Sequence, residues 1–261
     1  MNIIVCIKQV PETTGIKIDE TTNTLVREGV PAIINPFDMY ALEESIRIKE
    51  KCGGNVTVFT MGPPQAKLAL GEAIGMGVDS AVLLSDRAFA GSDTLATSYA
   101  LSRAIRQTGK FDLIVCGKQA TDGDTAQVGP GIAEFLDIPF VAYIRRIEEI
   151  REGYMRVERL METGFEIIEM SLPALITVVK EINEPRLPSL KGMLKAKKAE
   201  IPVWSVDGLG GDTGKFGLNG SPTQVIRIFT PEPRKGGEIL QGTADEQVTA
   251  LIGKLKETKL I

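Results

Sequence analysis

The chain contains no histidine. Without imidazole, neither a Ser-His-Asp nor a Cys-His nucleophile can be assembled, and the side chain that most often moves protons near neutral pH is missing. Any chemistry on this chain is therefore expected to be carried by a bound cofactor. Cysteine is scarce: Cys6, Cys52 and Cys116 form an odd total with no Cys-x-x-Cys pair. That suits a reducing compartment and excludes a thiolate metal site built by this chain alone. Cys6 and Cys116 lie in apolar runs and read as small core residues. No apolar run approaches the ~20 residues that cross a bilayer, so no membrane insertion is expected. The net charge of -4 offers no general attraction to nucleic acid or anionic lipid. The amino terminus, Met1-Asn2-Ile3-Ile4-Val5-Cys6-Ile7-Lys8, enters a strand directly and lacks a signal-peptide shape, so a cytoplasmic location is expected.

Two phosphate-binding motifs are also missing. No Gly-x-Gly-x-x-Gly follows an expected strand. In Gly210-Gly211-Asp212-Thr213-Gly214-Lys215-Phe216, Leu209 stands where the first P-loop glycine belongs and Phe216 stands where a Mg²⁺-binding hydroxyl is needed. That stretch reads as a turn.

What the chain does have is a regular alternation of strand and helix over its first 140 residues or so. Ile3–Lys8, Val56–Thr60, Ala81–Leu84 and Phe111–Cys116 are short apolar runs of the kind that become buried parallel strands. Between them lie helices opening at Asn35-Pro36, running through Leu68 and Ala73, and spanning about Leu95–Gln107; Asn caps and Pro suits the first helical position. Lys17–Asp19 and Thr24–Val26 read as a small hairpin across Glu20-Thr21-Thr22-Asn23. The pattern implies a parallel sheet covered on both faces, with ligands at the carboxyl ends of its strands. From Tyr143 an antiparallel meander follows, with Gly153 and Gly164 at the turns, and then one more strand over Leu175–Val179.

Past Glu184-Pro185 the core pattern stops, and order is expected to return only at Thr243-x-x-Glu246. This capping box precedes the stripe Val248, Leu251, Ile252 and Leu255. The expected fold is thus α/β: a nucleotide-binding domain over 1–185, then an extended arm over 186–261 whose terminal helix packs on another chain.

The most informative stretch is Gly117-Lys118-Gln119-Ala120-Thr121-Asp122-Gly123-Asp124-Thr125-Ala126-Gln127-Val128, between a strand and the helix that follows. Its glycines let the backbone approach a ligand and aim several N–H groups at it. Either Asp124 with Gln127 as a capping box, or Gly129-Pro130, starts a helix whose positive end borders the turn. Asp122 and Asp124 oppose a bare phosphate unless they face a hydroxyl or an N–H. Asp93 and Thr94 end a second polar loop and read equally as an N-cap or as ligand contacts.

These residues resemble the small (beta) subunit of the electron-transferring flavoproteins over essentially the whole chain. The likeness rests on Val5-Cys6-Ile7-Lys8-Gln9, Asn35-Pro36-Phe37, Gly117-Lys118-Gln119-Ala120, Asn183-Glu184-Pro185-Arg186 and Met193-Leu194-Lys195-Ala196-Lys197-Lys198. It extends through Val157-x-Arg159, Glu162, Gly164, Glu166 and Leu172-Pro173-Ala174-Leu175-Ile176-Thr177, departing only at Thr163. The resemblance implies a subunit that pairs with a large (alpha) subunit holding one FAD and that itself holds an adenine nucleotide. The implied contacts are Cys6, Asn35, Pro36, Phe37, Asp38, Met61 and Gly117 through Val128, with Asp93 and Thr94 beside them.

In some members the nucleotide is AMP; in electron-bifurcating members it is a second FAD, which takes hydride from NADH. One electron then goes to ferredoxin or flavodoxin and the other, through the large subunit's FAD, to an acyl-CoA dehydrogenase-like flavoprotein. Gly123 and Ala126, small where AMP-holding kin carry larger side chains, favour FAD here. By the same resemblance Leu190, with Met193 and Leu194, would dock the terminal dehydrogenase. A carrier subunit holding AMP and a colourless, non-redox nucleotide binder stay open as alternatives.

Overall fold

The computed structural model describes residues 1–12, 17–19, 24–26, 31–227 and 236–261. Thirteen strands and seven helices occur among them. In chain order the first half comprises β1 (Asn2–Cys6), β2 (Gln9–Pro11), β3 (Lys17–Asp19), β4 (Thr24–Val26), β5 (Ala32–Ile34), α1 (Pro36–Cys52), β6 (Asn55–Met61), α2 (Lys67–Met76), β7 (Ser80–Leu84), α3 (Thr94–Gln107), β8 (Leu113–Gly117) and α4 (Val128–Leu136). The second half comprises β9 (Phe140–Arg151), β10 (Tyr154–Met161), β11 (Gly164–Ser171), β12 (Ala174–Val178), α5 (Leu190–Lys198), β13 (Val203–Trp204), α6 (Val206–Leu209) and α7 (Ala244–Glu257). The expected hairpin strands pair as β3 and β4; the Glu20–Asn23 turn lies outside the described residues.

Nine strands form one sheet in the order β11-β10-β9-β12-β8-β1-β6-β7-β13. From β9 to β13 neighbouring strands run parallel, while β9, β10 and β11 form the antiparallel meander. The apolar runs become central strands because both faces are covered. In β1, Ile3 and Val5 join the core under α1 and α2, whereas Ile4 and Cys6 join the core under α3 and α4, as the two-residue period of a strand requires. Each aliphatic side chain fully buried this way, such as Leu42 or Ile114, contributes about 1.5–3 kcal/mol.

The stretch past Pro185 contains more structure than its composition suggests. Helix α5 packs on α2 so closely that a Cβ at Gly192 would lie 2.0 Å from the Gly75 carbonyl oxygen. Lys195 Nζ donates to the Val78 carbonyl at 2.9 Å. Strand β13 then extends the sheet beside β7, Trp204 packs edge-on against Phe59, and Val206, Leu209 and Phe216 are buried. A compact unit accordingly runs from Met1 to Ile226 and a second from Arg227 to Ile261. Residues 186–226, expected in the arm, fall within the first of these units. In the second unit Thr243 and Glu246 form the expected capping box at the start of α7, and Val248, Leu251 and Ile252 on that helix are exposed.

Candidate functional site

Strands β1 and β8 are parallel neighbours whose onward connections diverge, β1 through α1 to β6 on one side and β8 through α4 towards β9 on the other. The carboxyl ends of two such strands leave a crevice, the usual ligand position in an open α/β sheet. Three side chains organise it. Asp38, in the first turn of α1, is buried; its carboxylate accepts from the Lys8 N–H at 2.7 Å. Burial pushes the Asp38 carboxyl up to about 7, against hydrogen bonds from Lys8, Asn35 and Gly117 that favour the anion. Gly117 is where α1 meets β8: a Cβ there would fall 2.4 Å from Asp38 Oδ1 and 2.6 Å from the Phe37 carbonyl carbon.

Asn35 occupies the N-cap of α1 and Pro36 follows at the first helical position, as expected, but the amide does not cap. It is wholly buried and reaches across to the loop after β8. Its Nδ2 donates to the Gln119 carbonyl at 2.8 Å, and its Oδ1 accepts from the Thr121 N–H at 3.0 Å. A helix cap is thus given over to holding a loop some 85 residues away in sequence. Lys118 stays near Phe37 and Tyr143, with its ammonium 6.0 and 5.3 Å from the two ring centroids.

The two carboxylates that oppose an anionic ligand are both engaged. Asp122 Oδ1 lies 2.6 Å from Lys8 Nζ, and Asp124 accepts from the Gln119 amide. Asp124 does not form a capping box with Gln127, which makes no side-chain cap; α4 begins at Val128, with Gly129-Pro130 inside its first turn. The reason lies in the backbone. Asp124 and Ala126 both adopt left-handed conformations, φ 53° and 55°, which turn the chain away from helical geometry until Val128. Thr121 through Thr125 and Gln127 are exposed, and the first N–H groups of α4 have no intrahelical acceptor. The loop therefore offers uncapped N–H groups and a positive helix end, with its acidic side chains tied back.

Cys6 and Cys116 are register partners at the ends of β1 and β8, both buried. The hydrogen bond to the Cys6 thiol, together with burial, raises Cys116 well above its ordinary value, which favours its neutral thiol form. Met61 is half-buried and packs against the same core as Cys6. Asp93 caps α3, accepting from Leu95 and Ala96 N–H at 2.9 and 3.1 Å. It and Thr94 reach the loop indirectly: Ser98 Oγ donates to the Thr94 carbonyl at 2.7 Å and lies 3.1 Å from the Val128 carbonyl. Leu190, Met193 and Leu194 stand apart from the crevice, exposed on α5, with Leu190 at 73%. Lys8 and Ser98 carry weight that no spacing in the sequence signals, because their partners are 114 and 30 residues away.

The family model described as Electron transfer flavoprotein domain matches residues 22–209. The chain is 53% identical over 262 residues to the Electron transfer flavoprotein subunit beta of Thermoanaerobacterium thermosaccharolyticum, covering 100% of both chains. It is 46% identical over 261 residues to the protein of the same name from Clostridium acetobutylicum, again covering 100% of both. To the Caffeyl-CoA reductase-Etf complex subunit CarD of Acetobacterium woodii it is 49% identical over 263 residues, with the same complete coverage. No helix among the described residues is long and apolar enough to cross a membrane. With a domain match over most of its length and full-length identities near one half, this chain belongs to the electron transfer flavoprotein family, among the beta subunits.

Proposed function

We propose that this chain is the beta subunit of an electron-bifurcating flavoprotein complex and that its crevice holds FAD rather than AMP. The observation that carries this reading is the space at the turn of the 117–128 loop, where a Cβ added to Gly123 would meet nothing within 4 Å. A small residue at Ala126 as well supports a ligand longer than a monophosphate at this exposed turn. The N–H groups of the loop and of the first turn of α4 would hold the pyrophosphate. Asn35 fixes the loop, Lys8 offsets Asp122, and Asp38 with Gly117 locks the strand ends beneath it. Cys6, Pro36, Phe37 and Met61 would line the nucleotide.

FAD held there would supply the redox chemistry, as hydride acceptor from NADH and one-electron donor to ferredoxin or flavodoxin and to a second FAD in the large (alpha) subunit. An acyl-CoA dehydrogenase-like flavoprotein is the final acceptor, a reading supported by the relative named as part of a caffeyl-CoA reductase complex. Leu190, Met193 and Leu194 would dock that acceptor, and the exposed stripe of α7 would pack on the large subunit. The protein supplies no histidine for proton transfer, and hydride transfer needs none. Anaerobic titration of the two-subunit complex with NADH is the test. Bleaching of its flavin absorbance is expected; a complex whose flavin stays oxidised in excess NADH would instead be a one-electron carrier.

A further inference from the structure

The carboxylate of Asp93 is fully engaged by the protein. One oxygen caps α3; the other accepts from the Thr223 hydroxyl at 2.8 Å and the Thr223 N–H at 3.1 Å. The Asp93 N–H in turn donates to Ser221 Oγ at 2.8 Å, and that hydroxyl lies 2.7 Å from the Gly217 carbonyl. The segment that brings these hydroxyls here is anchored in the core. Phe216 packs against Phe89 and Tyr99, the Leu218 N–H donates to the Ala90 carbonyl at 3.1 Å, and a Cβ at Gly217 would lie 2.0 Å from the Ala88 carbonyl oxygen. Residues 216–223 thus strap the loop that leads into α3.

That helix is also in contact with the crevice. Ser98, one turn on from Thr94, donates to the Thr94 carbonyl at 2.7 Å, and its Oγ lies 3.1 Å from the Val128 carbonyl. A Cβ at Gly131 would fall 2.5 Å from Ser98 Oγ, so α3 at Ser98 and α4 at Gly131 pack with no room for a side chain between them. Displacing the start of α3 must move the start of α4, because packed side chains at this density do not deform independently.

We propose that Ser221 and Thr223 are positioning residues for the nucleotide site. Through Asp93 they hold the first turn of α3, and through Ser98 that turn holds Val128 and the 117–128 loop in its binding shape. The proposal rests on the crevice being the nucleotide site. Its consequence is that the segment entering the C-terminal unit and the cofactor loop are energetically coupled.

The test uses the full-length chain in complex with its large subunit. Thr223→Val keeps the shape and the backbone N–H but removes the hydroxyl that reaches Asp93. Nucleotide is expected to leave this subunit roughly five-fold faster during buffer exchange, as the loss of one hydrogen bond implies. Amide hydrogen exchange over 95–98 and over 128–131 should rise by a similar factor, while the large subunit's FAD is unaffected. Thr223→Ser should restore both, and Ser221→Ala should give the same pattern if Thr223→Val fails to fold. Unchanged exchange over 128–131 in the variants would overturn the proposal, whether or not 95–98 changes. Exchange is read on the protein itself, so a parent complex without nucleotide in this subunit would refute the cofactor reading while leaving the coupling to be decided by exchange alone.

Discussion

Replacing Gly117 with alanine tests the construction of the crevice at its tightest point. The backbone there lies outside the left-handed region, so the effect of a side chain is steric. The new Cβ would sit 2.4 Å from Asp38 Oδ1, 2.6 Å from the Phe37 carbonyl carbon and 2.8 Å from the Asp38 nitrogen. Two of these atoms are backbone of the first turn of α1 and the third is a buried carboxylate, so no flexible side chain can yield. Since carbon atoms pack at about 3.5–4.0 Å, that turn must retreat by about 1 Å. The retreat pulls Asp38 from Lys8 and Asn35 from Gln119 and Thr121. Overpacking of this kind costs about 1–3 kcal/mol. At about 2–4 °C per kcal/mol for a chain near this size, Tm should fall by about 2–12 °C.

Gly123→Ala, with nothing within 4 Å, should leave the melting curve unchanged. Circular dichroism melts of both variants, with bound nucleotide quantified after gel filtration, make the comparison. A Gly117→Ala protein that melts with the parent and retains its nucleotide would refute the packing described at the end of β8.

Gly123→Asp places a third carboxylate in the loop, and should deplete the FAD of this subunit more than that of its partner; equal flavin content in parent and variant would show that Gly123 does not border the pyrophosphate. For Asp38, the ordinary value of 3.8 rises to about 7 on folding, so the folded chain holds a proton that the unfolded chain releases between those values. Its contribution to stability is therefore greatest below about pH 4 and is lost as pH rises through about 7. Asp38→Asn should flatten that decline in urea denaturation midpoints across the window, and an unaltered pH slope would count against a buried, raised carboxyl. Leu190→Ala removes an exposed side chain, so thermal stability and NADH reduction should persist, while delivery to the terminal dehydrogenase weakens by roughly 1–3 kcal/mol of docking energy. Rate against dehydrogenase concentration is the readout, and parent-like transfer at limiting dehydrogenase would take Leu190 out of the docking surface.

The sheet was legible because its strands are continuous apolar runs separated by capped helices, a pattern that Ile3–Cys6 and Leu113–Cys116 state without help from distant residues. The loops at the carboxyl ends followed from topology. What the local pattern did not carry was the destination of individual polar groups. Asn35 is recognisable as an N-cap, yet its amide is spent on Gln119 and Thr121. Asp93 also reads as a cap, but nothing nearby signals Thr223, 130 residues on. Strand β13 was missed because Val203 and Trp204 are too short a run to show a period, and Phe216 because an isolated aromatic among glycines looks like turn sequence. Helix α5 was obscured by its lysines, one of which turns out to bond the Val78 carbonyl.

The nucleotide content of the co-purified two-subunit complex tests the central claim most directly. Acid extraction followed by chromatography should yield two FAD per heterodimer and no stoichiometric AMP, in keeping with the open turn at Gly123. One FAD with one AMP per heterodimer would contradict it and make this subunit part of a one-electron carrier.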